Sequence, residues 1–199
     1  QTNALLPPYR AEDMRAISIG SKNQFGDILQ LNVELFHNRM TDHQENFSTL
    51  DATGNQVSAR LNGGKAISKG ASVDALFRPF ANGVFNVGVE SNDSEYKEFV
   101  YDNFVTNNPP APASTGCVTA AVPVPAEASA RITGVFEVDC SGFPLTRTPK
   151  WSGSVGYTHT VDLANGAEIE FAPNVVFASS RYLEVSFHPN SLAESYQLY

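Results

Sequence analysis

The sequence contains no apolar run of about 18 residues, the length a membrane-crossing helix needs, so a helical membrane span is excluded. Basic residues are few, 13 Lys+Arg against 21 Asp+Glu. No basic cluster exists, which argues against a nucleic-acid surface. The start, Gln1 to Pro8, has no basic stretch leading into an apolar one, so no signal peptide is expected there. A secreted chain after processing, or a truncated one, shows the same start. Methionine (2) and leucine are sparse, while Phe (13), Tyr (7), Asn, Ser, Thr and Gly are plentiful. That mixture suits strands and turns better than helices.

Catalytic patterns are also missing. There is no G-x-S-x-G elbow, no phosphate-binding glycine loop and no dinucleotide fingerprint. Gly63-Gly64-Lys65 lacks both the upstream glycine and the following Ser/Thr of a phosphate loop. The histidines are His37, His43, His159 and His188. His37 and His43 do not have the i, i+4 spacing of a helical zinc site. Glu168 and Glu170 share a strand face and could act as an acid–base pair, but solvated carboxylates on a wet face are the simpler reading. Asn46-Phe47-Ser48 and Asn92-Asp93-Ser94 match a glycosylation acceptor, a pattern common by chance. No catalytic, cofactor-binding or metal-binding set is expected, and the chain is read as a non-enzyme.

What the sequence does have is alternation with period two. In Ile28 to Asn38, Leu29, Leu31, Val33 and Leu35 fall on one face and Gln30, Asn32 and Glu34 on the other. The pattern returns in Ser68 to Phe77, Gly83 to Glu90, Trp151 to Val161 and Glu168 to Phe177. Shorter strands are expected over Arg15 to Lys22 and from Ser195 to Tyr199. Pro173 interrupts one pattern and removes a ladder donor, so a bulge is expected there.

The connections alternate as well. Asn23 to Asp27, Pro79 to Asn82 and Asp162 to Gly166 are short and rich in turn residues. Thr41 to Gly64, Asn92 to Lys150 and Leu183 to Glu194 are long. Short turns on one rim and long loops on the other characterise outer-membrane barrels. Several patterned segments reach the roughly 9–11 residues of a membrane-crossing strand. Aromatics near segment ends (Phe36, Phe77, Trp151, Tyr157, Phe177, Tyr182) are candidates for interfacial girdles.

The alternative is a soluble β-sandwich, secreted and used for adhesion or carbohydrate binding, since alternation alone fits a sandwich wall equally. The two differ in what covers Leu29, Leu31, Val33, Phe85, Val87, Ile169 and Phe171. A sandwich buries them under a second sheet; a barrel turns them outward.

Two features lie in the longest connection. Cys117 and Cys140 flank a segment rich in Pro, Ala and Val. A disulfide closing it is favoured, contributing about 3 kcal/mol by restricting the unfolded chain and implying an oxidising compartment. Two separate reduced thiols are the alternative. Glu95 to Phe104 gathers Tyr96, Phe99, Tyr101 and Phe104 where a strand leaves for the loop. These four are candidate ligand contacts; the competing reading is that they continue the strand and pack on a neighbour.

Four pieces resemble segments of TonB-dependent outer-membrane receptors, in family order. In Leu5 to Gln44, Ile19, Gly20 and Lys22 match one strand of the family, Gly26 and Asp27 its turn, and Leu31, Asn32, Phe36 and Asp42 the next strand and its acidic end. Ile17 and Ser18 stand where Tyr and Glu are usual. Ala66, Ser68, Gly70 and Val73-Asp74 match the following strand. Pro149-Lys150-Trp151-Ser152 resembles the Pro-x-Trp-Ser opening of a later strand, and Ser195-Tyr196-Gln197-Leu198 a Ser-Tyr-x-Leu opening near the barrel's end.

The resemblance implies an all-β fold of antiparallel up-and-down strands, about a third of a transmembrane β-barrel of roughly 22 strands. Residues 1–199 would be a partial barrel domain without its plug, incomplete at both ends, with a long extracellular loop over 92–148. It implies a Gram-negative outer membrane and uptake of a scarce solute such as an iron–siderophore complex. The implied partners are the rest of the barrel and its plug, the TonB complex through an N-terminal part absent from the chain, the extracellular solute and outer-membrane lipid.

Overall fold

A computed structural model describes residues 9–199, so Leu5 to Pro8 of the first receptor-like segment lie outside the described residues. In chain order the strands are β1 (Asp13–Phe25), β2 (Leu29–Thr41), β3 (Gln44–Leu50), β4 (Gln56–Asn62), β5 (Lys65–Phe80), β6 (Gly83–Glu98), β7 (Val100–Val105) and β8 (Val118–Val122). There follow β9 (Gly134–Asp139), β10 (Trp151–Asp162), β11 (Glu168–Phe171), β12 (Asn174–Ala178), β13 (Arg181–Tyr182), β14 (Leu192–Ala193) and β15 (Tyr196–Leu198).

One antiparallel sheet dominates, in the order β1-β2-β5-β6-β10-β12-β15, with β11 also on β10. The sheet is open, with β1 and β15 at its edges. Its strands follow one another up and down, as expected. The turns close at the positions read as turn signals. Gly26 (φ 57) and Gly166 (φ 82) take the left-handed conformation that a tight turn demands.

Paired residues on antiparallel strands project to the same side. The register therefore assembles a continuous apolar face. Phe25, Leu29, Phe77, Phe85 and Tyr157 form one row beside the turns; Leu31, Ala75, Val87, Val155 and Val175 form the next. Val33, Val73, Val89 and Phe177 follow, then Ile19, Leu35, Ala71 and Trp151. Extended to Phe171 beside the turns, the belt spans roughly 27 Å along the strands. The residues between them form a polar face: Gln30, Asn32 and Glu34 on β2, Ser72 and Asp74 on β5, Asn86 and Glu90 on β6, Ser152 and Ser154 on β10.

Nothing covers the apolar face. Leu29, Leu31, Val33, Phe85 and Val87 all keep exposed surface, and Ile169 and Phe171 are 55% and 64% exposed. A second sheet stacked on these positions would bury them, so the sandwich alternative is wrong, and with it the adhesion or carbohydrate-binding module built on one.

The long connections are not irregular loops. Thr41 to Gly64 holds the hairpin β3–β4. Asn92 to Lys150 begins with strand: β6 runs on to Glu98, eight residues beyond the expected end. Then β7, β9 and β8 pair as a three-stranded sheet. Together with residues 183–194 these segments build a cap at the loop rim, and the buried core of the molecule lies there. Phe47, Ala66, Tyr96, Phe99, Val138, Cys140 and Phe187 form one cluster; Phe104, Ile132 and Val135 form a second.

Two further expectations are corrected. The strand read as Glu168 to Phe177 is two strands, because Pro173 cannot donate and breaks the ladder between β11 and β12; its carbonyl still accepts from the Tyr157 N–H at 3.0 Å. Of the girdle candidates, Phe36 lies on the polar face in register with Gly70, and Tyr182 packs in the cap against Phe143 and Phe187.

Candidate functional site

The cap brings together most of the residues singled out in the longest connection. Cys117 and Cys140 are bonded to each other, bridging β8 and β9 where Val118 faces Asp139. Cys140 is buried in the first cluster, and its N–H donates to the Phe99 carbonyl at 2.8 Å. The disulfide is therefore part of a core as well as a closure of the segment between the cysteines.

Tyr96 ends the straight run of β6 and stacks on Phe99 with ring centroids 4.5 Å apart. Phe99 breaks the strand, its N–H donating to the Ser141 hydroxyl at 3.1 Å. Phe47 from the neighbouring hairpin fits between Phe99 and Tyr101, at 5.6 and 4.9 Å. Tyr96 and Phe99 are 1% and 0% exposed. They hold the hairpin, the three-stranded sheet and the 183–194 segment together and present no surface to a ligand, which corrects their assignment as contacts. Tyr101 is half-buried, and Phe104, in the second buried cluster, keeps 8% of its surface. With Phe47, Asn62 and Asp102 they line a cavity of about 160 Å³. Of the four aromatics, these two remain candidate contacts.

A larger cavity, about 490 Å³, opens between the β3–β4 hairpin and the segments around Thr146 and Leu183. Glu45, Arg60, Arg147 and Glu184 line it. Both signs of charge are present, which suits a polar solute with donors and acceptors. These residues carried no signal in the sequence: each lies in a stretch without alternation, and they are far apart along the chain.

At the base of the cap the chain backs closely onto itself. A Cβ on Gly64 would fall 1.7 Å from the Glu98 carbonyl oxygen, and the residue takes φ +149. The Gly63-Gly64 pair therefore serves backbone packing. Beside it His43 is enclosed by two carboxylates, Glu12 at 3.2 Å from Nδ1 and Glu45 at 3.3 Å from Nε2, with the Tyr96 ring 5.8 Å away. The Nδ1 approach lacks the alignment of a hydrogen bond. The hydrogen bond with Glu45, with the charge of Glu12 added, holds the His43 pKa above its usual value despite partial burial. Arg10 and Asp42 form an exposed ion pair nearby.

The fold and site thus describe a single-layered wall of antiparallel strands, greasy on one face and polar on the other, closed at one rim by turns and roofed at the other by packed loops. No family model matches the chain, and no curated protein matches it. Among solved structures it is similar to the ferric yersiniabactin uptake receptor FyuA from Yersinia pestis, with a TM-score of 0.62 and 12% identity. The match covers 96% of this chain and 22% of that one. The chain therefore spans less than a quarter of the length of the receptor it resembles. At this identity the likeness is one of fold: the strands are laid out as in the barrel of an uptake receptor.

Proposed function

We propose that this chain is part of the barrel wall, with its extracellular loops, of a TonB-dependent receptor in the outer membrane of a Gram-negative bacterium. In this reading it performs no chemistry. The wall supplies a rigid scaffold and a polar lumen. The cap supplies contacts for a scarce solute such as an iron–siderophore complex, from Tyr101 and Phe104 and from the charged cavity at Arg60 and Arg147. The rest of the barrel, its plug and the TonB complex complete the transporter, and the bilayer solvates the apolar face.

The observation that carries the proposal is the uncovered belt. Residues such as Ile19, Leu35, Val155 and Phe171 remain more than a third exposed to their surroundings. Exposed apolar area on this scale is costly in water and favourable in hydrocarbon. The fold likeness to an uptake receptor supports the same reading.

Trp151, the one tryptophan of these 199 residues, sits in the belt and is 49% exposed; any tryptophan elsewhere in the full-length protein is replaced by phenylalanine for the test. In vesicles, lipids brominated on the acyl chains are expected to quench its fluorescence while aqueous iodide is not. Quenching by iodide alone overturns the membrane reading. The transport half is tested by accumulation of labelled iron–siderophore complexes in cells with and without the protein; equal uptake across a panel of such complexes removes that solute class.

A further inference from the structure

The cavity of about 490 Å³ in the cap falls within the roughly 300–1,000 Å³ of small-ligand sites. Its charged lining is Glu45, Arg60, Arg147 and Glu184. Glu45 is turned toward His43, at 3.3 Å. The other three make no ion pair among the described residues, so opposite charges share one cavity without meeting.

Arg147 is held there under strain. Its backbone is left-handed, with φ 61, a conformation that glycine takes freely and arginine does not. Its N–H donates to the Tyr182 carbonyl at 2.6 Å, and its Nε to the Leu183 carbonyl at 3.3 Å. These two bonds fix both the backbone and the near side of the guanidinium beside Glu184, the next residue in the chain. Yet Arg147 and Glu184 do not pair. Backbone strain of this kind persists only where the surrounding structure enforces it, and it clusters at ligand sites. A turn alone would be better served by glycine. What arginine adds is a positioned guanidinium.

The signs of charge select the ligand. An anion alone would meet Glu45 and Glu184, and a cation alone would meet Arg60 and Arg147. A group that carries both signs finds a partner for each. Leu183 and Val185 add apolar lining for the body between its charges. The planar guanidinium fork matches a carboxylate bidentately.

We propose that the part of the solute entering this cavity is a zwitterion of short-peptide size, its carboxylate held by Arg147 and Arg60 and its ammonium by Glu184. This rests on the receptor reading above and names the chemistry that its charged cavity selects. Arg147 is the residue that sets the preference for a free carboxylate.

The test is calorimetric titration of the full-length protein in detergent micelles with trialanine, its N-acetyl form and its C-terminal amide. Trialanine is expected to bind with a Kd below about 1 mM, and each capped form about tenfold more weakly. Arg147→Gly, which keeps the left-handed backbone, is expected to bind trialanine and its amide alike while the cap stays resistant to protease. Glu184→Gln is expected to bind trialanine and its N-acetyl form alike. Arg78→Gln, at the turn rim where the Arg78 N–H donates to the Ile28 carbonyl at 2.7 Å, is expected to change nothing. Absent binding of trialanine, equal binding of the three peptides, or an equal loss in Arg78→Gln overturns the proposal. So does weakening in Arg147→Gly or Glu184→Gln that leaves both preferences intact, or a cap that Arg147→Gly opens to protease, because those are the marks of a merely structural role. The Trp151 quenching measurement is run alongside in vesicles. Quenching that persists while the peptides fail overturns this inference alone; absent quenching in the unaltered protein overturns the barrel reading beneath it.

Discussion

The wall and the cap of this molecule obey opposite burial rules. In the wall, apolar side chains such as Ile19, Val155 and Phe171 are exposed and polar ones line the other face. In the cap, Phe47, Tyr96, Phe99 and Phe187 are buried as in any water-soluble domain. Both regions are antiparallel β-structure with the same local geometry. On the proposed reading, the difference lies in the solvent each was built for. Strands β1, β2, β5, β6 and β10 of the wall, 12 to 16 residues long, are held by ladder hydrogen bonds between long neighbours, and on the same reading their apolar side chains face hydrocarbon. Strands in the cap are short, two to seven residues, and depend on the hydrophobic core they enclose.

The sharpest break between the two comes from Phe99→Ala. Phe99 is fully buried and touches Phe47, Tyr96 and Tyr101. Its truncation is expected to cost the cap about 3–5 kcal/mol. The wall contributes only Ala66 and Tyr96 to the buried cluster, with Met40 of β2 packed against it, so the loss should stay local. Limited proteolysis is expected to nick the 99–150 region of the variant rapidly, while circular dichroism shows the strands of the wall intact. Loss of strand signal together with the cap would mean that the two regions fold as one unit.

Val87→Arg tests the wall in the same way. Val87 lies in the middle of the belt, in register with Ala75 and Val155. A cation at the bilayer midplane is expected to destabilise the barrel by about 2–4 kcal/mol in urea titrations in vesicles. Asn86→Arg, one residue away on the polar face, should cost far less. Equal costs at the two positions would show that both faces meet the same solvent, and the contrast between wall and cap would be lost.

How much of this was legible in the sequence follows from the same contrast. The wall was readable because alternation is a local signal: Leu29, Leu31, Val33 and Leu35 announce a strand and its face without help from elsewhere. The turns were readable from Gly26 and Asn165-Gly166. The extension of β6 to Glu98 was missed because SNDSEYKE has no apolar alternation; it pairs through its backbone with β5. The cap core was missed because its members come from separate connections. Phe47 and Phe187 meet the Tyr96–Phe99 stack only after the chain has folded, and no spacing rule links them. The aromatic cluster was noticed, yet its burial was not, since partners 50 to 90 residues away decide it. The cysteine pair was legible, while the cavity at Arg60 and Arg147 was not.

Cys140→Ser addresses the bridge. The cysteines stand 23 positions apart, and loss of the bridge is expected to lower the stability of the cap by up to about 3 kcal/mol. The bridged segment is also held by the pairing of β8 with β9, so partial retention of protease resistance is expected. Complete collapse of the cap would show that the covalent link, and not the packing around Phe99, organises it.

The smallest effect expected is a pH dependence at the junction of wall and cap. His43 has its pKa raised above the usual value, chiefly by the hydrogen bond with Glu45 and further by the charge of Glu12. A raised folded-state pKa means that the protonated form is bound more tightly in the folded protein. The stabilisation is fully present below the unfolded value of about 6.5 and is lost as pH rises through the folded value. The groups around the ring are Glu12 before β1, Glu45 on β3 and Tyr96 on β6, with the Arg10–Asp42 pair adjacent. Deprotonation therefore loosens the contact between the lead into β1 and the β3–β4 hairpin. Hydrogen exchange over residues 41–46 is expected to quicken as pH rises above about 6.5, beyond its intrinsic base catalysis, and His43→Gln should remove that excess. An excess that survives in His43→Gln would assign the pH response to another group and leave the junction held by packing alone.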